Sequence, residues 1–170
     1  MRRGIGSVVF PLFVLSVATY VWLSSQALPE VVASHFGPSG RANGFMPREA
    51  YAQLMAGLIV ALPLLVVYLP NALMRRWAGA INLPHRQYWL APERREQTIE
   101  RLCRGSFGFG YLLVAFLGYV HQVVLLANRV IPPGLPLEWF VGGLVAFVVG
   151  MLGYAFLFLR PFLRVPRGSV

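Results

Sequence analysis

Four stretches of this chain, residues 8–25, 50–74, 106–128 and 139–159, contain no Asp, Glu, Lys or Arg. Each is close to or above the length that matters in lipid. A helix rising 1.5 Å per residue needs about 20 mostly apolar residues to cross a hydrocarbon core of about 30 Å. The runs lack the in–out alternation of a barrel strand, so helix is the spanning form they can take. The expected fold is all-α: a polytopic membrane protein, a single transmembrane domain over residues 1–170 built as a four-transmembrane-helix bundle. Composition agrees. Of the 170 residues, 57% are hydrophobic and only 12% are charged, against roughly a quarter in ordinary soluble domains.

"MRR", an apolar run and "SQA" before Leu28 imitate a secretion signal. The run exceeds the 7–15 residues of a typical signal core, so the first segment is expected to be an uncleaved anchor. Pro11, Pro63 and Pro70 fall inside the first two segments; in lipid such prolines are tolerated as kinks. Gly142, Gly143, Gly150 and Gly153 punctuate the fourth. The pairs Gly143/Ala146 and Gly150/Gly153 are expected to support close helix packing within the monomer.

The cations, all Arg, are unevenly placed. Arg2 and Arg3 precede the first segment. Arg75, Arg76, Arg86, Arg94, Arg95, Arg101 and Arg104 lie between the second and third, and Arg160, Arg164 and Arg167 follow the fourth. The other two connections hold Arg41, Arg48 and Arg129, balanced by Glu30, Glu49 and Glu138. With Glu93, Glu96 and Glu100 counted on the first side, the whole net charge of +9 sits on one face. Positive residues accumulate in the cytoplasm. The N- and C-termini and the middle loop are therefore expected there, with residues 28–49 outside. This placement accounts for the basic charge without nucleic acid, which is not an expected partner.

The middle loop, "INLPHRQYWLAPERREQTIERLCR" over residues 81–104, reads as an amphipathic inner loop. Pro92 suits a first helical turn. From there Thr98, Ile99, Leu102 and Cys103 share one side, and Arg94, Arg95, Glu96 and Arg101 occupy others. Charge pairing is expected among Glu93, Glu96, Glu100 and Arg101, and Tyr88 and Trp89 are expected interfacial anchors. A short helix is expected here, lying along the inner leaflet, running into the third spanning helix and drawn to anionic lipid.

Candidate chemistry is sparse. The lone Cys103 can form no intrachain disulfide. His35, His85 and His121 stand apart from one another, and Glu30, Glu49 and Glu138 show no ligand spacing, so no metal site and no cofactor is expected. There is no Asp, no G-x-S-x-G, no H-E-x-x-H and no P-loop; the chain is not expected to be an enzyme. His121 and Gln122 fall inside the third apolar run, where polar groups usually turn inward and find partners.

The outer stretch "LPEVVASHFGPSGRANGFMPREAY" is polar and rich in Gly and Pro. Gly37, Gly40 and Gly44 permit turns at positive φ. Val31, Val32, Phe36 and Phe45 are expected to pack onto the helix ends as an ordered cap, with His35 at the surface. The order Pro29, Val32, His35, Phe36, Gly40, Gly44, Phe45 resembles the N-terminal domain of unknown function of small bacterial membrane proteins, which also precedes SdpI-like immunity proteins. "INLPHRQYWLAPERR" is similar to a segment of the same group. The turn Arg41-Ala42-Asn43-Gly44 lacks the Asp often seen there, and the C-terminal half lacks the Asn-x-x-Gly-x-Arg pattern of the immunity region. The resemblance implies fold and location, a multi-pass protein of the bacterial cytoplasmic (inner) membrane, and supplies no catalytic residues.

The leading expectation is a non-enzymatic binding or accessory protein, immunity- or sensor-like. It would use His35, Phe36, Gly40, Gly44 and Phe45 of the outer loop on an extracytoplasmic peptide or protein partner. The competing expectations are a small transporter or proton-linked subunit built around His121 and Gln122, and a membrane enzyme using His35 with outer glutamates.

Overall fold

The computed structural model describes residues 6–165. Arg2, Arg3 and Arg167, counted above in the charge asymmetry, lie outside the described residues. The elements run α1 (Gly6–Ser25), β1 (Val31–Phe36), β2 (Ala42–Pro47), α2 (Arg48–Arg76), a 3₁₀ turn (Ala78–Ala80), α3 (Arg86–Trp89), α4 (Arg95–Ala127), α5 (Leu137–Leu159) and a 3₁₀ turn (Arg160–Leu163). Four helices are long and apolar enough to cross a membrane, and the protein is an integral, multi-pass membrane protein.

The helices are not equivalent. α1, α2 and α4 pack together around Phe10, Val14, Val21, Ile59, Val67 and Val114, all essentially inaccessible. α5 buries no residue of its own and packs against α4. The bundle is therefore a three-helix core with a fourth helix laid on its side. Aromatic rings of each helix seat on glycines of the other. A Cβ at Gly105 or Gly108 would fall within 1.9 Å of Phe158 or 2.1 Å of Tyr154, and one at Gly143 within 2.0 Å of Tyr119. The Tyr154 hydroxyl donates to the Gly105 carbonyl at 2.8 Å, and that of Tyr119 donates to the Trp139 carbonyl. Of the glycines singled out in the fourth segment, only Gly143 takes part in this way; Gly142 and Gly153 face open space and Gly150 merely touches Leu112.

A second polar contact crosses between α2 and α4. Asn71 Nδ2 donates to the Cys103 carbonyl at 3.3 Å, and Ser106 Oγ donates to Asn71 Oδ1 at 3.0 Å. Such side chains act as glue where water cannot compete. Pro63 and Pro70 both lie inside α2, and the helix runs through them.

The amphipathic segment runs into the third spanning helix, as expected. Thr98, Ile99, Leu102 and Cys103 are its buried side and form the first turns of α4 itself, one continuous helix. Ile99 and Cys103 pack on Ala78, and Leu102 packs on Leu83 and Phe162; this burial keeps the segment in line with the spanning helix. Pro92 stands in the turn before α4, not in its first turn. Trp89 is half-buried and is held by protein contacts. Its ring packs edge-on against Phe162, 5.2 Å between centroids, and its Nε1 donates to the Phe162 carbonyl at 3.1 Å. Among the described residues the single ion pair is Glu100–Arg104, one helical turn apart at 3.5 Å; Glu93, Glu96 and Arg101 make none.

The stretch over residues 28–51, expected as an ordered cap, is ordered as a two-stranded antiparallel hairpin. Val31 pairs with Pro47, Val32 with Met46, Ala33 with Phe45, His35 with Gly44 and Phe36 with Ala42; irregularities flank His35 on both sides. An isolated hairpin is marginal in water, so this one must be held by the bundle.

Candidate functional site

Three fasteners hold the hairpin. The first is Asn128, just past α4. Its Oδ1 accepts from the Ala33 N–H at 2.8 Å, and its Nδ2 donates to the Ala33 carbonyl at 3.0 Å and the Val124 carbonyl at 2.9 Å. The side-chain amide thus substitutes for a third strand along the edge of β1. The second is Arg48, whose Nη1 donates to the Leu28 carbonyl at 3.2 Å while its backbone N–H donates to the Glu30 carbonyl at 2.9 Å. The third is the turn. Gly40 has φ +77°, a left-handed value that glycine adopts without strain. A Cβ there would stand 2.9 Å from the Leu135 carbonyl oxygen. That close approach lets the Leu135 N–H reach the Gly40 carbonyl at 2.8 Å, clasping the turn to the loop between α4 and α5.

What the hairpin buries and what it shows are now distinct. Val32 and Ala33 are inaccessible, and Met46 packs on the core. Val31 and Phe45, expected to pack downward, are instead 60% and 55% exposed. Pairing explains this. Val32 and Met46 are directly opposite and share the inner face, so their neighbours Val31 and Phe45 project the other way. His35 is exposed over Gly44, where a Cβ would come within 2.8 Å of the His35 Cβ, and its Nδ1 lies 3.1 Å from Ser34 Oγ. Phe36 is half-buried. Of the candidates named from sequence, His35, Gly44 and Phe45 come together on the hairpin, with Gly40 at its turn.

His121 and Gln122 are elsewhere and apart from each other. Neighbours on a helix differ by about 100° in direction; here His121 falls on the buried side and Gln122 on the exposed side. Gln122 is exposed, beside a small cavity of about 190 Å³ that also involves Tyr20, Ser24, Asn128 and Arg129. His121 is inaccessible and joins three helices beneath the hairpin. Its Nε2 is 2.8 Å from Ser24 Oγ in the last turn of α1, and its Nδ1 is 2.9 Å from the Tyr51 hydroxyl in the first turn of α2. The Tyr51 ring lies nearly parallel to the imidazole, 5.8 Å away, and Tyr20 meets it edge-on at 6.0 Å.

One proton arrangement satisfies this chain. The Ser24 hydroxyl donates to the Tyr20 carbonyl at 2.7 Å, so it accepts from His121 Nε2–H, and His121 Nδ1 accepts from the Tyr51 hydroxyl. The imidazole is then neutral with both nitrogens engaged. Ser24 and Tyr51 were not legible as partners of His121; serines close to the end of a spanning segment and a Tyr at the start of another carry no spacing signal across chain separations this large. Tyr51→Phe removes the hydroxyl while keeping the ring. Interhelical hydrogen bonds in membranes average about 0.6 kcal/mol with a maximum near 1.7, so a loss of about 1 kcal/mol is expected in detergent unfolding, leaving the fold intact.

Among the described residues, no three His, Cys, Asp or Glu side chains are grouped to hold a metal ion. His85, at the opposite end of the bundle, faces the Leu163 carbonyl at 3.2 Å.

Residues 12–61 match a family described as a domain of unknown function, DUF1648. The match takes in most of α1, the whole hairpin and the first half of α2, including Ser24 and Tyr51 but neither His121 nor Asn128. No curated protein and no solved structure matches the chain.

Proposed function

We propose that this is a non-enzymatic membrane binding protein of the bacterial cytoplasmic membrane. Its hairpin faces outward, its Arg-rich end faces the cytoplasm, and the exposed surface of Val31, His35 and Phe45 captures an extracytoplasmic peptide or protein. The observation that carries the reading is the combination of rigid mounting with apolar exposure. A hairpin fastened at Ala33, Leu28 and Gly40 still leaves Val31 and Phe45 largely uncovered beside a polar imidazole. Aromatic side chains on a fixed scaffold bind with little ordering entropy. The immunity- or sensor-like role is the finer form of this reading, supported by the resemblance in the outer stretch.

The His121 cluster supports the same reading. With Ser24 donating to a main-chain carbonyl and Nε2 carrying a proton, there is no free imidazole lone pair to activate the hydroxyl. A proton relay finds less support: the chain runs from the Tyr51 hydroxyl through His121 to Ser24 and stops at the Tyr20 main-chain carbonyl, which passes no proton on.

The test replaces Phe45, and separately Val31, with a photoactivatable phenylalanine in cells. A discrete adduct at both positions that disappears on His35→Ala supports the reading. Adducts no stronger than those from lipid-facing Leu12, or ones indifferent to His35→Ala, contradict it.

A further inference from the structure

We propose that the cleft between the start of α4 and the 3₁₀ turn after α5 binds the phosphate of an anionic phospholipid headgroup. The cleft has a volume of about 610 Å³, and its walls include Trp89, Arg94, Thr98, Arg101, Arg104 and Phe162. Its architecture is fixed by contacts already made. Thr98 Oγ1 donates to the Trp89 carbonyl at 2.7 Å, Trp89 is tied to Phe162, and Phe162 is inaccessible.

The charges in it are unbalanced. Glu100 is the one carboxylate on the wall, and it is engaged by Arg104. Arg101 has no carboxylate within 4 Å among the described residues; its guanidinium lies over the Phe162 ring, 5.3 Å from the centroid. Arg94 is likewise stacked, 4.3 Å from the Tyr88 ring. Stacking on a ring holds a guanidinium in place and leaves its N–H edge free for phosphate oxygens.

Depth decides which phosphate. The apolar runs end at Ser106 on α4 and at Leu159 on α5. At 1.5 Å per residue, Arg104 and Arg101 lie about 3 and 8 Å beyond the apolar run of α4. The headgroup layer of a bilayer is about 5–8 Å thick on each side. Both guanidinium groups are thus at the level of lipid phosphates. Leu163, next to Phe162 in sequence, and Leu159, three residues before it, are exposed and offer apolar surface for acyl chains. A soluble phosphate compound would have no use for that surface. The proposal does not involve the hairpin, so either reading can fail alone.

The test uses the full chain, delipidated and placed in phosphatidylcholine nanodiscs with increasing phosphatidylglycerol. Trp22, Trp77 and Trp139 are replaced by Phe so that Trp89 alone reports. A saturable change in Trp89 fluorescence is expected. R101Q/R104Q should raise the half-saturating lipid fraction about tenfold or more, and R76Q/R95Q, with the same loss of charge outside the cleft, less than about twofold. If R101Q/R104Q does not fold, R101K/R104K keeps charge without the planar fork and is expected to weaken binding about threefold. Equal weakening by the two Gln pairs, an unresponsive Trp89, or the same change from millimolar inorganic phosphate in pure phosphatidylcholine discs would each overturn the proposal.

Discussion

Asn128→Leu is expected to release the hairpin and lower stability by about 3 kcal/mol. The Ala33 N–H and carbonyl are buried and both bond to Asn128. An apolar side chain there leaves two main-chain groups without partners, each costing roughly 1–3 kcal/mol until water reaches them. Amide exchange over Val31–Phe36 should accelerate by about a hundredfold, because a 3 kcal/mol loss is about two decades in the opening equilibrium. Exchange in the middle of α2 should change far less. On the proposed function, the loss should also abolish the adduct at Phe45, although Asn128 is no part of the exposed surface.

Gly110→Leu is expected to be at least as damaging, by about 3 kcal/mol or more, through overpacking. A Cβ at Gly110 would stand 2.6 Å from Phe10 Cζ and 2.6 Å from Val67 Cγ2, in the middle of the three-helix core. Phe10 cannot swing aside, because Phe107 and Tyr111 hold it edge-on at 5.5 and 5.1 Å. Extra atoms in a filled core usually cost 1–3 kcal/mol per modest insertion. Gly142→Leu is the control. Nothing lies within 4 Å of its added Cβ, so stability should stay within about 0.5 kcal/mol. Thermal unfolding in one detergent compares the two.

These residues show what could be read in advance. The four spans were legible because lipid demands long uncharged runs. The buried side of α4 at Thr98, Ile99, Leu102 and Cys103 was legible from helical spacing. The hairpin was not. β1 and β2 are six residues each, β2 contains Gly44 and ends at Pro47, and the decisive edge contact comes from Asn128, 95 positions beyond Ala33. The peripheral placement of α5 was equally hidden, since an apolar helix looks the same whether its faces meet lipid or protein. His121 and Gln122 were read as one inward pair; adjacent helical residues are about 100° apart, so they need not share their surroundings, but which of the two turns inward depends on where the neighbouring helices lie. The resemblance in residues 28–45 located the matched domain but gave no chemistry, because two of the residues that fasten the hairpin and link its network, Asn128 and His121, lie outside the matched segment while Gly40, Arg48, Ser24 and Tyr51 lie inside it.

The most direct measurement is labelling of single cysteines by a membrane-impermeant maleimide in intact cells, in a Cys103→Ala background. With the hairpin held outside and fixed, Phe45→Cys and Val31→Cys should react at once in intact cells, while Ala33→Cys stays protected and Gln97→Cys reacts only after the membrane is opened. Labelling of Gln97→Cys from outside, with Phe45→Cys silent until permeabilisation, would contradict the account.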